Sequence, residues 1–308
     1  MGIFANPLTD LLEYEDFSRD FLKGTDPVGM TGCIDSEKVH FISTFLGEKK
    51  VQLVVTYNEQ RAREIEEDYK LFCSQVYVIP PRDLIFFSAD LQGNAIIAER
   101  MKAFAALYQN EAKVIITTMD ALMSAAVPFE QLMSHVIKLK EGDELDLEKL
   151  KHDLTVMGYE RVGRVEEPGQ FTVHGGIADV YPLTMEVPVR IELWGDEIDT
   201  IRCFEPQSQR SMDQIECVSV FPAAEVIADD TARRRAVGMI QNELESQLAV
   251  FKKAKEPDKA KRLREETNRI LEALGEDVVL EAPDSYISYF YPRTVQLSEY
   301  FDEKNTLV

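Results

Sequence analysis

The sequence predicts an α/β protein in which a parallel-sheet domain is interrupted by a small antiparallel β domain. Three observations lead to this fold class. Apolar, strand-like runs alternate with amphipathic helical stretches over about the first 140 residues. Short strands separated by glycine and proline turns fill the stretch from Val165 to Glu205. Long helical patterns follow, and the chain then ends in another apolar run.

The parallel sheet is predicted from the order of elements in the first part of the chain. Residues 27–32 (PVGMTG) indicate a short first strand, and residues 51–57 (VQLVVTY) form a continuous apolar run of the kind buried in parallel sheets. Further strands are expected at 75–80 and 113–119. The helices between them are predicted at 36–46, after Asn58, and at 95–108. This alternation is typical of right-handed βαβ units.

The antiparallel module is predicted from β-branched and aromatic residues that alternate with polar ones. Pro168-Gly169, Gly175-Gly176 and Gly195-Asp196 stand where tight turns need a fixed or positive φ. The pattern predicts a meander of about four strands. An amphipathic helix at 143–157 leads into this module, with leucines at helical spacing.

These patterns divide the chain into three segments. Residues 1–142 are predicted to hold the sheet, residues 143–212 the inserted β domain, and residues 213–308 a helical segment that returns and packs on the first. In the last segment, Asp229 is expected to cap a long helix and Pro257 to start a second one. Because the chain stops inside an apolar run, we expect an N-terminal fragment, truncated at its C-terminus, of a larger protein.

Composition excludes several classes of function. A net charge of −21 and a pI near 4.7 argue against a large nucleic-acid face, which needs clustered lysine and arginine. No apolar run approaches the roughly 20 residues of a membrane helix, and no signal peptide is apparent, so a cytoplasmic protein is expected. The four cysteines and four histidines lack metal-ligand spacing, which predicts no metal site.

A candidate nucleotide loop lies between the predicted first strand and first helix. It contains Gly29, Gly32, Ile34, Asp35 and Ser36. A working phosphate-binding loop needs a glycine where Ile34 stands and a lysine where Asp35 stands. A β-branched residue disfavours the left-handed turn, and a carboxylate repels phosphate. The loop is therefore predicted not to bind ATP, and the chain is expected to have no cofactor and no catalytic residue.

Three separated blocks carry a family resemblance. They are PRDLIFFSAD (81–90), GYERVGRVEEPGQFTVHGGIADVYPL (158–183) and VRIELWGDEIDTIRCFEPQSQRS (189–211). Together they resemble the N-terminal module of the bacterial transcription-repair coupling factor (Mfd) family, which is similar to UvrB. The resemblance covers essentially the whole chain and implies a helicase-like sheet domain (parts 1A and 1B) around a β module like domain 2 of UvrB. It also implies a lost nucleotide loop. UvrB's DNA hairpin would be missing too, in agreement with the short connection at 86–94.

The resemblance implies a binding function. In this family the β module docks UvrA and recruits it to RNA polymerase stalled at a lesion, whereas translocase activity lies in C-terminal domains that this chain lacks. The implied partners are therefore UvrA and the C-terminal domains of the same full-length chain. RNA polymerase and DNA would be contacted only through the missing domains.

Other functions stay open at this point. One alternative is an intramolecular clamp that holds the motor domains inactive. An ATP-dependent DNA-loading protein like UvrB would need a Gly-Lys-Ser/Thr sequence at 34–36, which is absent. A hydrolase using Glu166 with Glu167, or Asp196 with Glu197, is disfavoured because adjacent residues of a strand point to opposite faces.

The UvrA-binding residues are carried over by position. Arg161 matches an arginine of the family's YER motif, and Arg190 and Glu192 match its RIE motif. His174 and Phe171 are expected to flank them. Thr172 and His174 stand where UvrB typically carries arginines, which weakens the electrostatic argument.

A structural alternative exists for the two arginines. Arg161 and Arg190 would then only pair with Glu160, Glu192 or Glu186 on the sheet surface. Exposed pairs of this kind contribute about 0 to 1 kcal/mol to stability.

Overall fold

A computed structural model describes residues 8, 14–24, 27–82, 91–227, 229–275, 286–302 and 304–308, with backbone only at 91–94. The connection at 86–94 and the first resemblance block therefore lie largely outside the described residues. The chain forms two compact units. The first comprises 1–82, 102–124 and 296–308, and the second comprises 83–101 and 125–295.

The described helices and strands are as follows. The strands are β1 (Val51–Thr56), β2 (Val76–Ile79), β3 (Val114–Thr118), β4 (Ala125–Ala126), β5 (Ile137–Lys140), β6 (Glu160–Arg161), β7 (Gln170–His174), β8 (Ile177–Val180), β9 (Val189–Trp194), β10 (Glu197–Phe204), β11 (Ser211–Gln214), β12 (Cys217–Val220), β13 (Val295–Gln296) and β14 (Thr306–Leu307). The α-helices are α1 (Tyr14–Lys23), α2 (Asp35–Ser43), α3 (Glu59–Lys70), α4 (Leu91–Tyr108), α5 (Met119–Leu122), α6 (Phe129–Met133), α7 (Leu147–Val156), α8 (Asp230–Ala254), α9 (Pro257–Gly275) and α10 (Ile287–Phe290). A 3₁₀ helix spans Leu297–Tyr300.

A four-stranded parallel sheet organises the first unit. Its order is β14, β1, β3, β2, and each described neighbouring pair runs parallel. The apolar runs that predicted β1, β2 and β3 supply its buried side chains, including Val76, Val114 and Ile116. Helix α3 packs on this sheet, and its N-cap Asn58 accepts a hydrogen bond from the amide of Arg61 at 2.8 Å. The predicted α/β class with a parallel sheet is confirmed.

The strand predicted at residues 27–32 does not form. Residues 27–34 have no regular secondary structure, and the first strand of the sheet is β1. Pro27 lacks a backbone donor, and Gly32 has a φ of 86°, outside the extended region. The apolar content of this stretch was therefore too small to offset its proline and glycines.

A six-stranded sheet organises the second unit. Its order is β11, β10, β9, β8, β7, β6, and the neighbours are antiparallel except for β6 and β7. The meander predicted with about four strands is therefore larger, since β6 and β11 extend it at both edges. Strand β6 has only two residues and every residue of β11 is exposed, so neither shows the alternation that marks a half-buried strand.

One face of this sheet is covered by α7 and by the antiparallel pair β5 and β12. Leu150 and Leu154 of α7 pack with Leu139 of β5 and Val218 of β12. The first turn of α7 is fixed by Asp146, whose carboxylate accepts hydrogen bonds from two backbone amides. Strands β5 and β12 lie outside the segment 143–212 but contribute to the same core.

Helices α8 and α9 form a helical hairpin. The predicted cap is present, because Asp229 accepts a hydrogen bond from the amide of Ala232 at 2.7 Å. The two helices are joined at Lys255, which has a φ of 56°, and α9 starts at Pro257 as expected. Helix α10 packs on α8, where the hydroxyl of Tyr289 donates to a carboxylate oxygen of Glu243 at 2.5 Å.

Candidate interaction face of the β module

Cross-strand pairing divides the six-stranded sheet into an inner and an outer face. The row Phe171, Val180, Val189 and Cys203 belongs to the inner face, which carries the core. Side chains one position further along point the other way. The outer face therefore carries two rows, the first being Thr172, Asp179, Arg190 and Arg202, and the second being His174, Ile177, Glu192 and Thr200.

The first outer row is centred on a bidentate ion pair. Arg190 donates to the two carboxylate oxygens of Asp179 at 2.8 and 2.7 Å, and its guanidinium carbon lies 4.8 Å from the ring centroid of Phe204. The hydrogen bond from Arg190 to Asp179 raises the pKa of the guanidinium above its usual value. The side chain of Arg190 is only 21% exposed. Arg190 thus ties β8 to β9, and few of its donors remain for a partner.

The second outer row leads to an exposed apolar pair. Trp194 follows Glu192 by two residues on β9, so it points to the same face, and it is 84% exposed. Ile177, in register with Glu192, is 39% exposed. We call His174, Ile177, Glu192 and Trp194 the tip patch. A large exposed aromatic side chain beside an exposed isoleucine is a feature of interaction surfaces.

Two polar contacts orient the tip patch. The hydroxyl of Thr172 lies 2.9 Å from Nε2 of His174, and the hydroxyl of Thr200 donates to Glu192 at 3.2 Å. Thr172 is itself buried, so it supports the exposed histidine rather than offering a contact of its own. His174 and Glu192 remain accessible on the outer face.

The remaining predicted residues lie elsewhere. Phe171 is 0% exposed and belongs to the core, so its expected role in contacting a partner is corrected: alternation places it on the inner face. Arg161 is exposed on the edge strand β6, in register with Phe171 and not with Arg190. Residues in register point to the same face, so Arg161 lies at the edge of the sheet on the side of Phe171, whereas Arg190 belongs to the outer face.

The sequence interpretation missed Trp194 and Ile177. The available signal was the alternation of Arg190, Glu192 and Trp194, which puts all three on one face of β9. The order of these residues did not reveal which face is covered, because that depends on α7, β5 and β12.

Two carboxylates, those of Asp35 and Glu37, lie in the first turn of α2, where the predicted nucleotide loop ends. The amide of Ile34 donates to the side chain of Glu37 at 3.0 Å, and Asp35 pairs with Lys38 at 3.2 Å and with Arg61 at 3.6 Å. Carboxylates at a helix N-terminus occupy the position that a phosphate would take. The other loop residues, such as Gly29 and Ser36, carry no charge that would offset these carboxylates. The arrangement agrees with a loop that does not bind nucleotide, which stays a prediction.

Metal sites and membrane spans are both missing from the part of the chain that the structure describes. There, no group of three or more histidine, cysteine, aspartate or glutamate side chains is arranged to hold a metal ion. Among the same residues, no helix combines the length and apolar character needed to cross a membrane.

Comparison with known proteins defines the class of this module. Residues 137–225 match the family model of the UvrB interaction domain, a range that contains both outer rows and the strands β5 and β12. This segment is therefore similar to that family.

Nearly the whole chain is also similar to transcription-repair-coupling factors. It is 29% identical to that of Bacillus subtilis (strain 168) over 309 residues, which cover 98% of this chain and 26% of the relative. It is 34% identical to that of Staphylococcus haemolyticus over 231 residues, which cover 74% of this chain and 19% of the relative. The resemblance predicted from the three blocks is confirmed, and the chain spans about a quarter of the length of the Bacillus relative.

Proposed function

We propose that this chain is a binding module of transcription-coupled DNA repair that docks UvrA through the outer face of its six-stranded sheet. In a longer protein, this contact would recruit UvrA to a stalled RNA polymerase. The proposal is supported by the family match of residues 137–225 and by the names of the relatives. RNA polymerase and DNA would be contacted by other parts of that protein.

The observation that carries the proposal is the exposed tip patch. Tryptophan is enriched among the residues that dominate interface energies, and Trp194 is 84% exposed in this chain. Asp196 and Glu197 follow it directly after Gly195, and both are exposed. An aromatic ring beside carboxylates favours a partner surface that offers an apolar pocket with arginine or lysine at its rim.

Arg161 supplies a second contact at the edge of the sheet. Its side chain is exposed, and within the described part of the chain it has no ion pair. An unpaired guanidinium can form a bidentate bond to a carboxylate of a partner without breaking an existing bond. Arg190, by contrast, acts by holding the outer face in shape through Asp179.

Replacing Arg161 with alanine is expected to weaken binding of this chain to purified UvrA by roughly 1 to 3 kcal/mol, the range of a charged interface contact. The affinity should be measured by titration at low and at high salt, since the loss should shrink as salt screens the pair.

Arg210 provides the matched control, because it is an exposed arginine of the same module on the turn before β11. Arg210→Ala should change the affinity by less than about 0.5 kcal/mol. Equal losses for both variants would indicate a general charge effect and would remove Arg161 from the contact. Unchanged binding of Arg161→Ala would have the same consequence.

A second function is favoured by one observation. The relatives are several times longer than this chain, so the tip patch can also be covered by another domain of the same protein. The module would then act as an intramolecular clamp on the motor domains. Adding this chain to motor domains that have been separated from it should lower ATP turnover if the clamp operates, and unchanged turnover would argue against it.

We further infer that the chain acts without chemistry of its own. The carboxylates of Asp35 and Glu37 at the start of α2 disfavour ATP at the predicted loop. Measurable ATP binding by this chain would contradict this part of the proposal and would favour a DNA-loading protein like UvrB.

A further inference from the structure

In the part of the chain that the structure describes, the half of the α8–α9 hairpin nearest its turn at Lys255 has no buried side chain. The buried residues of the two helices lie near its base, at Ala236 and Ile240 of α8 and at Thr267 and Leu274 of α9. From residue 241 to 266 every side chain is at least partly exposed. Helices gain most of their stability from packing of an apolar face. Apart from the contact of α10 at Glu243, the described residues cover this face mainly with the other helix.

An open groove of about 610 Å³ runs between the two helices in this half. Leu248, Phe251 and Ala260 supply its apolar part. Lys252, Lys255 and Arg264 line its rim. The lining positions recur at helical spacing on both helices, so the groove follows the length of the hairpin instead of forming a closed pocket.

The rim carries positive charge on an acidic protein. Residues 251–264 contain seven lysines and arginines but two acidic residues, which gives a net charge of +5, whereas the whole chain carries −21. The charge pattern alone would indicate a solvated helix surface laced with ion pairs. Lys259 and Lys261 do pair, with Glu256 at 2.9 Å and Glu265 at 3.9 Å.

The three cations at the rim of the groove differ from Lys259 and Lys261 in that they are not paired within the part of the chain that the structure describes. Within the described residues, Lys252, Lys255 and Arg264 have no ion pair. Glu256 and Glu265 also line the groove, but each of them pairs with another lysine. The lining as a whole keeps an excess of positive charge.

We propose that this groove binds an acidic amphipathic helix of a partner protein. Two antiparallel helices with an apolar stripe between them offer the ridges and grooves that a third helix fills. Apolar residues of the partner would cover Leu248 and Phe251, and its carboxylates would meet Lys252, Lys255 and Arg264. Duplex DNA would match the charge but would leave the apolar floor exposed, so the acidic helix is the better fit. This site is independent of UvrA docking by the β module.

A designed peptide tests the proposal. The probe is a fluorescent peptide of about 18 residues, with leucines at helical spacing and glutamates elsewhere, and its binding to this chain is followed by anisotropy. The variant Lys252→Glu, Lys255→Glu, Arg264→Glu should weaken binding by at least about 10-fold because it reverses the rim of the groove.

The turn end of the α8–α9 hairpin also offers a matched control variant. Lys253→Glu, Lys259→Glu, Arg262→Glu changes the net charge equally, but these residues do not line the groove. It should weaken binding by less than about 3-fold, since only long-range attraction is lost.

Four outcomes would overturn the proposal. The first is absence of peptide binding. The second is equal loss in the two variants. In the third, a peptide of the same composition with scrambled leucines binds equally well. In the fourth, a duplex oligonucleotide binds more tightly than the peptide and both variants weaken it equally, which would identify a nonspecific phosphate contact.

Discussion

Trp194→Ala is expected to weaken the affinity for UvrA by about 2 to 4 kcal/mol, the largest loss that we predict for a single contact. The side chain is 84% exposed in this chain, so its burial against a partner would remove a large apolar area from water. For the same reason the substitution should leave the thermal unfolding of the module nearly unchanged. A titration against purified UvrA, combined with a melting curve, measures both.

Met212→Ala is the control for this substitution. Met212 is an exposed apolar residue of the same sheet, on the edge strand β11 and outside the tip patch. Its replacement should change the affinity by less than about 0.5 kcal/mol. If Trp194→Ala bound UvrA as tightly as the parent chain, the tip patch would not be the contact surface, even if the module still bound UvrA elsewhere.

Arg100→Ala is expected to lower the free energy of unfolding by about 3 to 5 kcal/mol, the largest stability effect that we predict. The side chain of Arg100 is 0% exposed, and it donates to Glu225 through two nitrogens, at 2.5 and 3.1 Å. The pair fixes α4 to the segment that follows β12. Removing the arginine leaves the carboxylate of Glu225, 3% exposed, without this partner. Urea unfolding followed by circular dichroism measures the loss.

A double substitution separates the charge effect from lost packing. Replacing a buried ion pair by apolar residues of similar size is often neutral for stability. Arg100→Met combined with Glu225→Leu should therefore recover a large part of the stability that Arg100→Ala loses. A cost below about 1 kcal/mol for Arg100→Ala would show that the carboxylate is satisfied in another way.

Local patterns predicted the elements that are either fully buried or sharply capped. Strands β1 and β3 were found because continuous apolar runs of this length are typical of a parallel sheet. Helix α8 was found because Asp229 caps a long run with helical spacing. The fold class followed from the order of such elements. The strand expected at residues 27–32 fails because a proline and two glycines outweigh its few apolar residues.

Contacts between distant residues could not be predicted in the same way. Arg190 pairs with Asp179 because the two residues are in register on β8 and β9. This register could not be predicted, since a long connection and not a tight turn joins the two strands. The sequence offered Glu160, Glu186 and Glu192 as partners instead. The Arg100–Glu225 pair joins residues 125 positions apart, and no spacing rule reaches across that distance.

In the candidate site, too, local patterns could be predicted from the sequence, but contacts between distant residues could not. The sequence interpretation placed Phe171 and His174 in one contact surface, whereas alternation along β7 makes them point to opposite faces. Burial of Phe171 depends on the elements that cover the inner face, and these come from both ends of the module. The binding roles predicted for Arg161 and Arg190 stay predictions. The structure places these two arginines in different rows of the sheet, and for this reason we propose the tip patch around Trp194 as the contact surface.

Amide hydrogen exchange of this chain with and without purified UvrA tests the central claim most directly. The turns Gly175-Gly176 and Gly195-Asp196 flank the tip patch, and their amides should exchange quickly in the free chain. We predict that UvrA slows exchange at these turns while the α8–α9 hairpin stays unchanged. Absence of binding, or protection confined to segments away from the tip patch, would contradict docking through this face.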